Sequence, residues 1–489
     1  MVDLLIAGGR IARISPSAAA SRGGAARSAP SGEHGRPSPE AVDLDGGWVH
    51  PGLWDSHVHF GQWAMLSRRI DLSGAASAAG AAALVREELG RHPPERGAVL
   101  IGQGFRDGLW PDAPTAELLE FGDVPVALVS GDVHCVWANR AALRMLGLPE
   151  SDWLLREQAA FDVNVRLSDA PDAQLDAWAL EAAAAASSRG VVGIVDLEMS
   201  GAIASWRRRF GSGFRGLRVR AGVYPDELDA AAAAGIRSGE LVEGTAGLLT
   251  GGPFKLFADG SLNTRTAWCY DYYPGMSGPD AAGLSIHPAA ELLGLARAAL
   301  AHGLVPAIHA IGDRATTLAL DTFEALGALP PVGGSIEHAQ LVIPADLPRF
   351  AGLGVRASVQ PEQAMDDRDV ADHFWAGRTD RAFACRALWE AGAELALGSD
   401  APVAPLDPWV TLSAAVSRSR DGREPWHPEQ ALPIGAALAA SWGGAGELSE
   451  GGPADLVVTE QNPLSADGEQ LRRMPVLATM VAGEWSYRR

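Results

Sequence analysis

The chain has 489 residues, 47% of them apolar and 20% charged, which is typical of a globular protein of two or three domains or of one large barrel. Its formal net charge of −20 and pI of about 5.0 argue against nucleic acid and anionic membranes as partners, so a small-molecule substrate is expected. Three widely spaced cysteines indicate neither a disulfide framework nor a Cys-rich zinc site, and they fit a reducing cytoplasm.

The chain begins with MVDLLIAGGRIARIS, where two apolar runs flank Gly8-Gly9 and predict a β-hairpin. Asp3 stands where a secretory signal would be basic, so no signal peptide is expected. Residues 16–40 are rich in Ser, Ala, Gly and Pro and predict a flexible loop. ADLVVTEQNP and PVLATMVAGEWSY at the other end are also strand-like. We therefore expect residues 1–50 and 403–489 to form a small β-sandwich domain together with the last barrel helix.

Between the two ends, strand-like runs alternate with Ala/Leu/Arg/Glu helical stretches, the pattern of βα units around a parallel sheet. The runs are WDSHVHF (54–60), GIVDLEM (193–199), RVRAGVY (218–224), PFKLFADG (253–260), VPAIHAIG (305–312), SIEHAQ (335–340), RASVQP (356–361) and ELALGSD (394–400). Eight is the number of strands in an α/β protein of the (β/α)₈ TIM-type barrel class, which we expect over residues 51–402. The first two runs are separated by about 130 residues containing AVLIGQGF and PVALVSGDVH. We expect this insertion, at about 75–185, to form a lid over the barrel mouth.

Polar side chains collect at the carboxyl ends of these predicted strands, where the active sites of such barrels lie. They are His57 and His59 on the first strand, Lys255 on the fourth, His309 on the fifth, His338 on the sixth and Asp400 on the eighth. His57 and His59 are two residues apart and point to one side of a strand, so both can face the barrel interior. Imidazole and carboxylate ligands suit a divalent ion such as Zn²⁺. Taken singly, His309 could be a core histidine and Asp400 a turn cap, but their joint placement favours a metal site.

Several segments resemble the amidohydrolase superfamily. PGLWDSHVHF is similar to the family's first-strand motif, HAIGDRA, IEHA and LGSDAP to its fifth, sixth and eighth strands, and GGPADLVV to its carboxyl-terminal sheet segment. GQGFRDGLWP, VSGDVHCVWANRAAL, LREQA and KLFADGSLNTRTA resemble the group that includes N-substituted formamide deformylases. The loop at 15–40, Trp54 and Asn263 depart from the family pattern, and the last two are expected to reshape the pocket. The resemblance implies a metal-dependent hydrolase of non-peptide C–N bonds, acting on an amide or N-formyl compound with one or two ions, expected to be zinc.

Lys255 is the one lysine of the chain. In binuclear members of the family, a fourth-strand lysine reacts with CO₂ and its carbamate bridges two ions, so the resemblance implies a carbamylated Lys255. Arginine cannot do this because its guanidinium stays protonated, whereas a desolvated lysine reaches the neutral amine. The alternative is that the one lysine falls here by chance.

The resemblance also implies a mechanism. The metals would activate a water and polarise the substrate carbonyl, and Asp400 would carry the proton of this water to the leaving nitrogen. His134 is the candidate donor to the developing oxyanion, with a structural histidine as the alternative. Asp107 and Trp110 are candidate substrate contacts, and loop packing is their alternative interpretation.

Three residues remain as candidates with mainly structural interpretations. Arg265 is either a substrate contact or, as the sequence favours, the partner of Asp259 in a buried ion pair that fixes the loop after the fourth strand. For Glu157, too, the sequence favours a structural role over a substrate contact. Several tryptophans in the insertion indicate an apolar group on the substrate.

Two other functions stay open at this point. One is a deaminase or cyclic-amide hydrolase of the same superfamily, because one fold and site can serve several reactions. The other is a non-catalytic scaffold, which the complete set of candidate ligands disfavours. The sequence leaves open the substrate, the metal and the oligomeric state, and a homodimer is compatible with it.

Overall fold

A computed structural model of the chain describes residues 2–17, 40–94, 98–105, 107, 110–130, 135–151, 153–156, 158–168 and 170–489. These residues divide into two compact units, Met1–Phe60 with Ala183–Arg489, and Gly61–Ala182. Among them, we find no helix with both the length and the apolar character needed to cross a membrane. The predicted loop at residues 16–40 lies almost wholly outside the described residues.

Strands and helices alternate over most of the described chain. The strands are β1 (Val2–Ala7), β2 (Arg10–Pro16), β3 (Trp48–Pro51), β4 (Leu53–Val58), β5 (Ile70–Asp71), β6 (Leu100–Phe105), β7 (Val126–Ser130), β8 (Cys135–Ala138), β9 (Leu154–Arg156), β10 (Val191–Asp196), β11 (Arg218–Val223), β12 (Leu249–Phe257), β13 (Pro306–Ala310), β14 (Gly334–His338), β15 (Val355–Val359), β16 (Leu395–Leu397), β17 (Leu456–Thr459), β18 (Val476–Val481) and β19 (Glu484–Arg488). The α-helices are α1 (Phe60–Leu66), α2 (Ala78–Arg91), α3 (Arg140–Met145), α4 (Gln158–Ser168), α5 (Asp172–Ser188), α6 (Ala202–Gly211), α7 (Leu228–Ala233), α8 (Ala289–Ala301), α9 (Asp313–Leu326), α10 (Leu347–Leu353), α11 (Pro361–Phe374), α12 (Cys385–Glu390), α13 (Pro408–Ser417), α14 (Ile434–Ala440) and α15 (Gly468–Arg472).

The larger unit contains an eight-stranded parallel barrel. Its strands are hydrogen-bonded in the order β4, β10, β11, β12, β13, β14, β15, β16. A parallel bridge between Val58 and Ala401 joins the last segment to the first strand, and the amide of Asp400 donates to the carbonyl of His57 at 2.7 Å. Each strand falls on one of the eight predicted runs, so the predicted (β/α)₈ barrel is confirmed.

The outer helices pack on the barrel through apolar stripes, as α9 illustrates. Ala315, Ala319 and Phe323 are fully or almost fully buried and recur every four residues, so they lie on one face of the helix. Phe323 lies so close to Gly334 that a Cβ there would be 2.4 Å from its ring. The first residue of β14 is therefore glycine because this helix sits directly on it.

The two ends of the chain meet in one small β structure, as predicted. β3, β17, β18 and β19 form an antiparallel sheet in the order β19-β18-β17-β3. β1 and β2 form the predicted hairpin, with Gly8 and Gly9 at φ of 58° and 73°, values that glycine adopts without strain. Ile11 on this hairpin packs with Leu456 and Met480 of the sheet. Because this structure belongs to the same compact unit as the barrel, the predicted domain boundaries stay predictions.

The insertion after the first barrel strand is a compact unit of its own, Gly61–Ala182. It contains a mixed sheet in the order β5-β6-β7-β8-β9, in which β6 and β7 match the predicted runs AVLIGQGF and PVALVSGDVH. Leu128 and Trp137 lie opposite each other on β7 and β8 and are fully buried in its core. The predicted lid function of this unit stays a prediction.

Candidate metal centre

Three buried side chains at the carboxyl ends of barrel strands converge on one point. His57, His338 and Asp400 each offer a ligand atom, and these atoms lie within 4.8 Å of one another. His338 and Asp400 have φ of 75° and 58°, in the left-handed region that is rare for residues with a Cβ. Such strain is typically kept where the surrounding structure enforces it at a functional site.

The other predicted ligands surround these three. His59 Nε2 lies 3.4 Å from Asp400 Oδ1, and Lys255 Nζ lies 3.4 Å from His57 Nε2. The imidazole centroid of His309 is 4.5 Å from that of His338. The structure thus brings all six sequence-predicted residues into one contiguous cluster.

The ionisation of these groups suits metal binding. Burial lowers the pKa of His57 and His338, and it lowers that of His309 to about 3, so each imidazole is neutral and offers a lone pair. Burial also lowers the pKa of the Lys255 ammonium. Although burial alone would raise the pKa of Asp400, the nearby His57 and the hydrogen bond from His59 lower it, so this carboxyl is ionised.

The hydrogen bonding at the cluster shows that these residues fit a cation. His57 Nδ1 donates to Glu337, so Nε2 carries a lone pair, and this atom faces the Asp400 carboxylate Oδ1 at 3.5 Å. Within the described residues, Nδ1 of His338 and of His59 is buried without a hydrogen-bond partner. Buried polar atoms are nearly always paired, and neutral imidazoles with a carboxylate are common zinc ligands. The donor set therefore fits a divalent ion.

A carboxylate behind His57 fixes the orientation of this ring. Glu337 Oε2 accepts from His57 Nδ1 at 2.7 Å, and Glu337 Oε1 accepts from Ser335 Oγ at 2.5 Å. Burial raises the pKa of Glu337, but the hydrogen bonds from His57 and Ser335 and the nearby Lys255 together lower it to about 2. Sequence reasoning missed this residue, although it stands beside His338 in IEHA, because neighbours on a regular strand point to opposite faces.

We expect Glu337→Ala to lower zinc affinity by about 10- to 100-fold, because loss of the acceptor frees the His57 ring to change tautomer and rotate. Competition with a zinc chelator measures the affinity. Glu324→Ala, which changes an exposed glutamate on α9, is the matched control and should keep wild-type affinity. Unchanged zinc affinity in the Glu337 variant would contradict the positioning role.

Two glutamines fix the Asp400 carboxylate through its Oδ2 atom. Gln363 Nε2 donates to Asp400 Oδ2 at 2.9 Å, and Gln340 Nε2 donates to Gln363 Oε1 at 3.0 Å. Oδ1 of Asp400 is thereby left facing the histidines. Both glutamines were missed because an uncharged amide gives no signal in the sequence, although both border quoted strand runs.

Two buried aspartates connect the strand ends. Asp55 accepts the backbone amides of His57 and Ser399 at 3.1 and 3.0 Å, which ties the first barrel strand to the segment after the last. Asp259 accepts the backbone amides of Ile311 and Gly312 at 2.9 and 2.8 Å. Burial raises the pKa of Asp55 to about 6 and that of Asp259 to about 7.

The loop after β12 also sets the tautomer of His309. His309 Nε2 donates to the carbonyl of Gly260 at 3.0 Å, so its Nδ1 carries the lone pair. The interpretation of Asp259 and Arg265 as an ion pair is wrong, because Asp259 is fully buried on backbone amides while the exposed Arg265 places its guanidinium 5.6 Å above Phe374. Asn263, expected to reshape the pocket, donates to Asp367 at 2.7 Å.

The remaining candidates fall in the chain segment Gly61–Ala182. In the unit Gly61–Ala182, Asp107 pairs with Arg156 at 3.2 Å, and Trp110 donates to the carbonyl of Ala75 at 3.0 Å and packs on Phe105. For Trp110 these contacts agree with the packing alternative. His134 and Glu157 lie outside the described residues, so their predicted roles stay predictions.

Comparisons with known proteins agree with this geometry. The profile of the amidohydrolase family matches residues 40–487. The chain is 28% identical to YtcJ of Bacillus subtilis over 93% of this chain and 92% of YtcJ. It is 26% identical to the N-substituted formamide deformylase of Arthrobacter pascens over 99% of this chain and 95% of that one. The structure of an uncharacterized metal-dependent hydrolase from Pyrococcus horikoshii is similar with a TM-score of 0.75, 26% identity and 95% coverage of both chains.

Proposed function

Because the chain belongs to the amidohydrolase family and is a hydrolytic enzyme, we propose that it cleaves a non-peptide C–N bond in an amide or N-formyl compound with an apolar substituent. The observation that carries the proposal is the buried cluster of His57, His338 and Asp400, with Lys255 at 3.4 Å from His57. The similarity to an N-substituted formamide deformylase over nearly the whole of both chains supports the substrate class.

We assign the metal site to six residues with three kinds of donor. They are the imidazoles of His57, His59, His309 and His338, the carboxylate of Asp400, and Lys255 as its carbamate. Zinc is the ion we propose, because neutral imidazoles and carboxylate oxygens are its usual ligands in hydrolases. When bound, such an ion lowers the pKa of a water molecule and polarises a carbonyl.

Asp400 is the proposed general base and acid. Its pKa is lowered, so the carboxylate is ionised before the reaction and can accept the proton of the attacking water. For the same reason the protonated acid readily gives that proton to the leaving nitrogen. Gln363 donates a hydrogen bond to Oδ2 at 2.9 Å, which leaves Oδ1 for the proton transfer.

Lys255 is proposed to carry a carbamate. The residue is 1% exposed, and burial favours the neutral amine that this reaction needs. The amine nitrogen would form a bond to the carbon of CO₂ and lose one proton, leaving an anionic group with two oxygens. Since Nζ already lies 3.4 Å from His57 Nε2, these oxygens would join the donor set of the cluster.

A substrate screen tests the proposed function. Zinc-loaded enzyme would be assayed with N-formyl amines, acylated amines, lactams and aminopurines, with release of amine or ammonia as the readout. We expect the highest kcat/KM for N-formyl or acylated amines that carry an apolar group. Turnover of lactams or aminopurines alone would overturn the substrate class, and no turnover of any class by the metal-replete protein would overturn the proposed function.

A further inference from the structure

A cavity of about 300 Å³ lies at the end of the barrel opposite the metal centre. It is lined by residues at the amino-terminal ends of barrel strands, among them Gly251 on β12 and Arg356 on β15, and by Ala440 of α14. Since all barrel strands run parallel, their amino-terminal ends meet at one end of the barrel. We call this space the basal cavity, and all its lining residues belong to the larger compact unit.

Within the described residues, the two arginines of the basal cavity have one acidic ion-pair partner between them. Arg220 donates to the carbonyl of Gly443 at 2.7 Å and stacks on Trp54 at 4.3 Å, and it forms no ion pair with any acidic side chain of the described residues. Burial and the like charge of Arg356 lower its pKa to about 10. Arg356 pairs at 2.9 Å with Glu394, whose side chain is 64% exposed. Two guanidinium groups thus share one solvated carboxylate.

The lining of the basal cavity also includes apolar side chains and buried polar side chains. Val195 and Val305 contribute apolar wall, and Ser358 Oγ, 2% exposed, has no hydrogen-bond partner within the described residues. Glu337 also lines the cavity, and its carboxylate is already hydrogen-bonded to His57. Its negative charge disfavours a second anionic group close to it.

We propose that the basal cavity binds a small monocarboxylate with an apolar group. The carboxylate lies between Arg220 and Arg356, where a charge-assisted hydrogen bond relieves the repulsion of the two cations. The apolar group lies against the valine walls, with Ser358 as a further donor. A volume of about 300 Å³ leaves room for about ten non-hydrogen atoms. This site goes beyond the proposed function, because it uses neither the metal ligands nor the hydrolysis.

The test uses 4-fluorobenzoate as probe and follows its fluorine NMR signal with the zinc-loaded protein. We expect saturable binding that falls about tenfold or more in Arg220→Gln and in Arg356→Gln, because each removes a charged hydrogen-bond donor. Arg297→Gln, an exposed arginine on α8, is the matched control and should bind as the wild type does. Neutral 4-fluorobenzyl alcohol and acetate should both bind at least tenfold more weakly than the probe.

Ala440→Phe fills the basal cavity without removing a charge and decides the outcome if either arginine variant fails to fold. Loss of probe binding in this variant, with zinc content and turnover retained, supports the site. Binding that survives both arginine changes places the carboxylate elsewhere, for example on the zinc, and overturns the proposal. If 4-fluorobenzyl alcohol binds as tightly as 4-fluorobenzoate, the site does not select an anion and the proposal is overturned. If acetate binds as tightly as 4-fluorobenzoate, the proposed apolar contact of the ligand is overturned.

Discussion

Replacement of Asp400 by asparagine is expected to lower kcat by about 10²- to 10⁴-fold while most of the zinc stays bound. Asparagine keeps the size of the side chain and an oxygen that can accept from Gln363, so the local hydrogen bonding survives. Its amide cannot accept the proton of the attacking water or deliver it to the leaving nitrogen. The measurement is kcat on the best substrate of the screen, together with zinc content from elemental analysis.

Asp421→Asn is the matched control for this variant, because the Asp421 side chain is 81% exposed. It should keep wild-type kcat and zinc. Wild-type turnover in Asp400→Asn would remove Asp400 from the mechanism. If zinc and turnover were lost in equal proportion, the role of Asp400 as a metal ligand alone would explain the loss of turnover, and the proton carrier would have to be another group.

The barrel and its six candidate ligands could be predicted because each signal is local. The barrel strands are short and mostly apolar, and several carry a polar side chain near their carboxyl ends, as at Lys255 in β12 and His309 in β13, or just after it, as at Asp400. In a parallel barrel such positions meet at one end, so the strand count and the placement of the ligands follow from one another.

The groups that hold the ligands could not be predicted, because their contacts join distant segments. Glu337 and His57 are 280 residues apart in the chain. The left-handed φ of 75° at His338 breaks the alternation of the strand, so Glu337 and His338 both face the interior. A prediction that assumes regular strands places one of these two side chains on the outer face of the barrel.

The position of a residue along the barrel axis could also not be predicted from the sequence. Trp54 was expected to reshape the substrate pocket, yet it lies near the start of β4 under Arg220. It precedes His57 by three positions, which on a strand is about 10 Å. A residue inside the same strand motif as a ligand can therefore belong to the opposite end of the barrel, here to the base where Arg220 and Arg356 line the basal cavity.

Lys255→Arg is expected to be inactive and poor in zinc, because it puts a permanent cation where the proposed carbamate would supply an anion. Next to neutral imidazoles and divalent ions in a buried site, such a charge is strongly unfavourable. Lys255→Ala should also be inactive, but it leaves a gap in a fully packed site that a short carboxylate can enter. We therefore expect added acetate to restore part of the turnover of the alanine variant, measured as kcat against acetate concentration.

Lys255→Met is the matched control, because its side chain has similar length and no charge and fills the gap. Acetate should restore nothing in the methionine variant, so rescue of both variants would mean that acetate acts elsewhere. Intact-protein mass and a density map of the active, zinc-replete enzyme provide the direct check. An unmodified amine at Lys255 in that enzyme would contradict the carbamate, and the 3.4 Å contact with His57 would then be a hydrogen bond that orients the ring. In that case, acetate should rescue neither variant.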